Sequence, residues 1–183
     1  MIIANFKSNG SEQMIVRWAQ DFISNIDNNH TAIGIAPPYT YIEKLGRLLC
    51  DSNQNNLKVG AQDVGVGSGA KTGSVSSSML ADLNCNFAIV GHSERRTIFN
   101  ESNELIREKV KNLISAKLTP VLCVGESYSD FENKIKLIII KEQLNECLSD
   151  IHISQDIIIA YEPLWAIGSG KTPNPYDVNE INE

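Results

Sequence analysis

The chain is short of basic charge: 16 Lys and Arg stand against 22 Asp and Glu, for a net charge of −6. No basic stripe forms along it, which argues against a nucleic-acid partner. Long hydrophobic runs are missing too. No apolar stretch approaches the roughly 20 residues that span a bilayer, so a membrane partner is not expected. Met1-Ile2-Ile3-Ala4 is too short for a signal peptide. Cysteine is scarce and scattered, at Cys50, Cys85, Cys123 and Cys147, so the four read as buried free thiols and not as a disulfide framework or a zinc site. The three histidines have no ligand spacing. The expectation is a cytoplasmic, metal-free protein.

What is present suits one globular domain spanning residues 1–183, with 42% hydrophobic residues to fill a core. Predicted strands cover Ile2–Lys7, Ala32–Ala36, Leu57–Ala61, Phe87–Val90, Thr119–Val124 and Ile157–Ala160. Predicted helices run from an N-cap at Ser11 to Ile26, then over Thr40–Cys50, Ser76–Leu83, Asn103–Ala116 and Ser129–Leu148, with a further one opening at Tyr176. Strands alternate with helices about six times, and the strand runs are apolar on both faces. That pattern implies a parallel sheet covered by helices. An eight-stranded barrel and an open doubly wound sheet both fit it.

Polar residues collect just after strand ends: Asn5 with Lys7, His92 with Glu94 and Arg95, and Glu162. In parallel α/β folds those ends share one face, where the chemistry sits. A base, a neutral donor and a cation around one cavity suit proton abstraction beside a carbonyl. Plainer readings exist for each: Lys7 as a solvated charge, His92 as a satisfied buried imidazole, Glu94 and Arg95 as a structural ion pair. After Glu162 comes Pro163-Leu164-Trp165, stiff, and then Gly168 and Gly170, permissive, a plausible build for a swinging lid. Two motifs are decoys. Gly168-Ser169-Gly170-Lys171-Thr172 ends like a phosphate-binding P-loop, but Trp165 stands where that motif needs glycine and prolines follow. Gly65, Gly67 and Ala70, in the glycine-rich loop Gln62–Gly73, echo a dinucleotide fingerprint with no helix where one is required.

Four motifs together, Asn5-Phe6-Lys7, Gly91-His92-Ser93-Glu94-Arg95-Arg96, Leu122-Cys123-Val124-Gly125-Glu126 and Ala160-Tyr161-Glu162-Pro163, resemble triosephosphate isomerase, in order and over essentially the whole chain. The resemblance implies a (β/α)8 TIM barrel of which about six β/α units are present, acting on a small phosphorylated triose without a cofactor. It implies Glu162 as the base, His92 as a neutral electrophile and proton shuttle, and Lys7 as the cation, with Asn5 and the Gly168 N–H holding substrate. Glu94, Arg95 and Thr72 would support them. It further implies a homodimer through loop 62–73, with Thr72 approaching the neighbouring subunit's site. Ser74 departs from the family, which commonly has there a glutamate that pairs with the arginine matched by Arg95.

The barrel typically takes about 250 residues. The family's last two strand–helix units find no match before Glu183, so the expectation is a partial or shortened chain with little isomerase activity alone. Two other readings compete. One is another phosphate-handling barrel, an epimerase or a Schiff-base aldolase using Lys7. The other is a non-catalytic barrel fragment acting in assembly.

Overall fold

The computed structural model describes residues 1–26, 31–52, 54–152, 156–167 and 169–182. They form two compact units: Met1–Ile89 with Asn112–Pro120, and Val90–Lys111 with Val121–Glu183.

In the first unit the chain alternates β1 (Ile2–Asn5), α1 (Glu12–Asn25), β2 (Ile33–Ala36), α2 (Ile42–Asp51), β3 (Leu57–Ala61), α3 (Ser77–Asp82) and β4 (Phe87–Val90, whose last residue enters the second unit). The pairing is parallel throughout, with Asn5 opposite Ala36, Ile35 opposite Val59 and Ala61 opposite Ala88. Crossover helices make that possible, because parallel neighbours cannot be joined by a tight turn. Ser11 starts α1 as the sequence predicts: its hydroxyl accepts the Met14 N–H at 3.2 Å, satisfying one of the helix's orphan donors. Ile15 and Ala19 face inward from α1, while Trp18 stacks on Phe22 at 4.7 Å and meets Phe6 edge-on at 5.0 Å. Gly34 and Gly60 leave room for the ring of Phe87. A Cβ on either would come within 2.7 and 2.4 Å of it.

Two expectations need correction here. The helix over Thr40–Cys50 begins as a 3-10 turn at Tyr39–Tyr41, so α2 opens only at Ile42 and buries Ile42, Leu45 and Leu49. Cys50 is exposed and not a buried thiol, because the core face of α2 falls on Leu49 instead.

The second unit holds α4 (Ser93–Ile98), most of α5 (Asn103–Ser115) and of β5 (Thr119–Val124), then α6 (Tyr128–Glu132), α7 (Lys136–Leu148), β6 (Ile158–Tyr161) and α8 (Pro175–Asn182). β5 and β6 are parallel, with Val121 opposite Ile158 and Val124 opposite Tyr161, so β6 lies one residue later than predicted. The long helix expected over Ser129–Leu148 is two helices. A capping box between Ser127 and Asp130 starts α6, and Lys134 at φ +59° turns the chain before α7. A left-handed residue interrupts the helical ladder, and hydrophobic periodicity does not reveal it. No helix among the described residues is long and apolar enough to cross a membrane.

Candidate active site

The second unit brings two of the predicted residues into direct contact. His92 is the N-cap of α4, with extended backbone (φ −52°, ψ 143°), and its Nδ1 accepts the Glu94 N–H at 3.2 Å. A ring nitrogen that accepts carries no proton, so in this arrangement the imidazole is neutral with its hydrogen on Nε2. Nε2 lies 3.3 Å from Oε1 of Glu162. The other carboxylate oxygen accepts the Ser93 N–H at 3.2 Å, at the positive end of α4. His92 is 6% exposed, so the pair is screened from bulk water more than surface groups are.

The backbone explains the placement. Glu162 follows β6 and its N–H donates to the Val124 carbonyl at 2.8 Å, continuing the ladder from β5. Gly91, at φ +68°, turns the chain between β4 and His92. A Cβ there would stand 3.0 Å from the Arg96 guanidinium and 3.2 Å from the Cys123 carbonyl. Arg96 spans that spot, donating to the carbonyl of Gly91 at 2.7 Å and to that of Cys123 at 3.2 Å.

The first unit carries the other predicted cluster. Asn5 ends β1, and its Oδ1 accepts the Lys7 N–H at 2.9 Å. Lys7 takes a left-handed conformation at φ +49°. One side-chain amide pins this turn: Gln62 Nε2 donates to the carbonyls of Lys7 at 2.9 Å and Ala36 at 2.8 Å. Thr72 sits exposed in the turn before α3, beside Gly73 at φ +86°. Gly168 lies outside the described residues.

The triosephosphate isomerase family model matches residues 1–183. The chain is 36% identical over 186 residues to a triosephosphate isomerase from Nitrosococcus oceani, covering all of this chain and 73% of that protein. It is similar at 35% over 187 residues to one from Colwellia psychrerythraea and at 33% over 185 to one from Methylococcus capsulatus, with the same coverage.

The chain belongs to the triosephosphate isomerase family.

Family membership resolves the fold class left open by the element pattern in favour of the β/α barrel, of which six strand–helix units lie among the described residues. Several side chains in this triosephosphate isomerase family member were given no site role from the sequence, although most lie in its motifs or lid. Cys123 donates its thiol hydrogen to Glu162 Oε1 at 3.3 Å. Burial, and then the Glu162 charge, push that thiol far above the usual cysteine range, which keeps it a donor. Glu126 is fully buried, and its Oε1 accepts from the Tyr161 hydroxyl at 3.0 Å and the Trp165 indole at 2.8 Å. Burial and the nearby Glu126 charge push the Tyr161 hydroxyl up as well. Gln143 meets the backbone of Gly125 in both directions, at 3.0 and 2.9 Å. The sequence placed Cys123, Gly125, Glu126 and Tyr161 in family motifs but gave no sign of these contacts.

Glu94 and Arg95, read plainly as an ion pair, each have a further charged or ring neighbour in the second unit. Glu94 Oε2 lies 3.6 Å from His92 Nδ1. Arg95 clasps Glu101 with Nε and Nη2 at 2.8 and 2.6 Å, and the nearly buried Lys109 joins the same oxygen at 2.6 Å. Glu101 supplies Arg95 with a carboxylate within the second unit.

Proposed function

We propose that this chain interconverts dihydroxyacetone phosphate and glyceraldehyde 3-phosphate, the reaction for which its relatives are named. A base carboxylate, a neutral histidine and a closing loop are the recognised design of that enzyme class. The observation that carries the reading is the 3.3 Å approach of His92 Nε2 to Glu162 Oε1 while His92 Nδ1 accepts from Glu94. That tautomer leaves an N–H to polarise a carbonyl beside a carboxylate able to take a proton.

In this reading Glu162 removes a proton from the carbon next to the carbonyl, leaving an enediolate, and returns it to the neighbouring carbon. His92 gives its Nε2 hydrogen to the developing oxyanion and passes a proton between the two oxygens. Lys7 neutralises charge on the phosphate and the enediolate, Asn5 holds the substrate, and the Gly168 N–H clasps the phosphate. Arg95 and Glu94 support the start of α4, and Thr72 serves a homodimer formed through loop 62–73. The site of action is the cytoplasm. The step is redox-neutral and draws on no cofactor.

The test is hydrogen exchange. Dihydroxyacetone phosphate is incubated with the 183-residue protein in D2O, and NMR follows both deuterium entry beside the carbonyl and appearance of the aldose. Exchange integrates over hours, so even a slow enzyme registers. Glu162→Gln is expected to reduce both rates by about 100- to 10,000-fold, the range for a lost general base. Equal rates in wild type and Glu162→Gln would refute the assignment.

A further inference from the structure

One guanidinium ties the turn before His92 to the strand beside Glu162. Arg96 lies on α4, and its side chain folds back past the start of that helix. Its Nε donates to the Gly91 carbonyl and its Nη2 to the Cys123 carbonyl. Gly91 immediately precedes His92. Cys123 is the residue whose thiol donates to Glu162 Oε1. Both acceptors are buried, and a buried carbonyl requires a donor. The planar fork of arginine serves two such acceptors at once, which the compact ammonium of lysine does not.

The far side of the guanidinium is fixed as well. Nη1 donates to Asn103 Oδ1 at 2.5 Å, and Asn103 Nδ2 donates to Glu146 Oε2 at 2.7 Å. The amide thus turns its oxygen to the cation and its NH2 to the carboxylate, the one orientation that satisfies both. The Cys147 thiol, fully buried, donates to the same Asn103 oxygen at 3.4 Å, and its sulfur lies 3.8 Å from Nη2. The starting residue of α5 and the last turn of α7 therefore form a seat that aims the guanidinium at the two carbonyls.

We propose that Arg96 is a positioning residue that sets the gap between His92 Nε2 and Glu162 Oε1. With Arg96 seated, the turn at Gly91 and the end of β5 move as one body, and the gap stays at 3.3 Å. Without it, each strand end is free to shift alone. A mismatch of about 1 Å between reacting groups costs about 100-fold in rate. The effect on turnover rests on the isomerase reading of this site, whereas the effect on the gap does not.

The experiment uses the ligand-free 183-residue protein labelled with nitrogen-15 histidine. The His92 Nε2 hydrogen, facing Glu162, should give a downfield NMR line, assigned as the line lost in His92→Gln. Arg96→Lys keeps the charge but serves only one carbonyl. It should move that line toward the position of a water-exposed imidazole while circular dichroism stays that of wild type. In steady-state kinetics kcat should fall by about 10- to 100-fold and KM should hold within about twofold, since Arg96 acts through His92 and Glu162 and not on the substrate. Asn103→Leu unseats the guanidinium without removing it. It should move the same line in the same direction by less, and it carries the test if Arg96→Lys fails to fold. An unmoved His92 line in the folded variants overturns the proposal, as does a rise in KM with kcat unchanged. A moved line in a protein whose wild type shows no isomerase activity upholds the positioning role and refutes the isomerase reading instead.

Discussion

Gly125 and Glu162 are so close along their backbones that a Cβ on Gly125 would fall 1.9 Å from the Glu162 carbonyl oxygen. The obstacle is main chain, which cannot rotate aside as a side chain can. Gly125→Ala must therefore push the β5 and β6 ends apart just where the carboxylate begins. Overpacking of this kind costs about 1–3 kcal/mol, or roughly 2–12 °C in melting temperature for a chain of this size. Isomerase turnover should fall by about 100-fold through misplacement of Glu162. Calorimetry beside the exchange assay checks both. A variant with unchanged melting and turnover would mean that the two strand ends separate freely.

Ser93→Pro isolates one hydrogen bond. Proline suits the first helical position, and His92 before it is already extended (φ −52°, ψ 143°), so α4 should persist. The substitution removes the N–H that donates to Glu162 Oε2. Melting temperature should stay within a few degrees, while turnover drops by about tenfold, a modest share of what a bond to a charged group contributes. Circular dichroism and steady-state kinetics on the same preparation separate the two effects.

Glu101 is the shared acceptor of Arg95 and Lys109, and its side chain is 3% exposed. Glu101→Gln removes the carboxylate charge that Arg95 and Lys109 share, so unfolding free energy should fall by about 3–5 kcal/mol. Adding Lys109→Met should recover part of that loss, because it removes the buried cation that shares the Glu101 oxygen. Urea titrations of the single and double variants give the answer. Equal stability of the two would show that Lys109 is not coupled to Glu101.

Alkaline pH should weaken the fold. Burial pushes the Cys85 thiol up to about 11 from 9.0, and it raises the thiols of Cys123 and Cys147 too. Between 9.0 and the raised values the unfolded chain has lost these protons and the folded chain has kept them. Stability is therefore intact below 9.0 and declines as pH rises through the folded values. The urea midpoint should fall from pH 9 to 11, and Cys85→Ala should flatten that slope. In the same range iodoacetamide should label the exposed Cys50 well before the other three.

The sequence made the architecture legible where the signal was local. Six β-branched or apolar runs separated by helical periods require parallel strands with crossovers, and each appears within a residue or two of its predicted place. Ser11 caps its helix as its position suggests. Asn5, Lys7, His92 and Glu162 stood out because polar residues just beyond apolar strands have no packing reason to be there. The misses share a cause. The break at Lys134 depends on one residue's backbone sign, and the exposure of Cys50 on which residue of α2 comes last to the core. Neither leaves a mark in hydrophobic spacing.

By itself, then, the amino-acid order decided the strand–helix alternation, the family, and which polar residues follow which strands, since propensity, periodicity and motif are all short-range or linear properties. It did not decide who touches whom. That Arg95 turns to Glu101, that Cys123 donates to Glu162, and that Trp165 rests between Glu126 and Phe131 depends on residues 6 to 39 positions apart being brought within hydrogen-bond or van der Waals range. Such contacts are selected by the packing of whole elements, whose energy belongs to the assembled unit and to no single stretch of the chain.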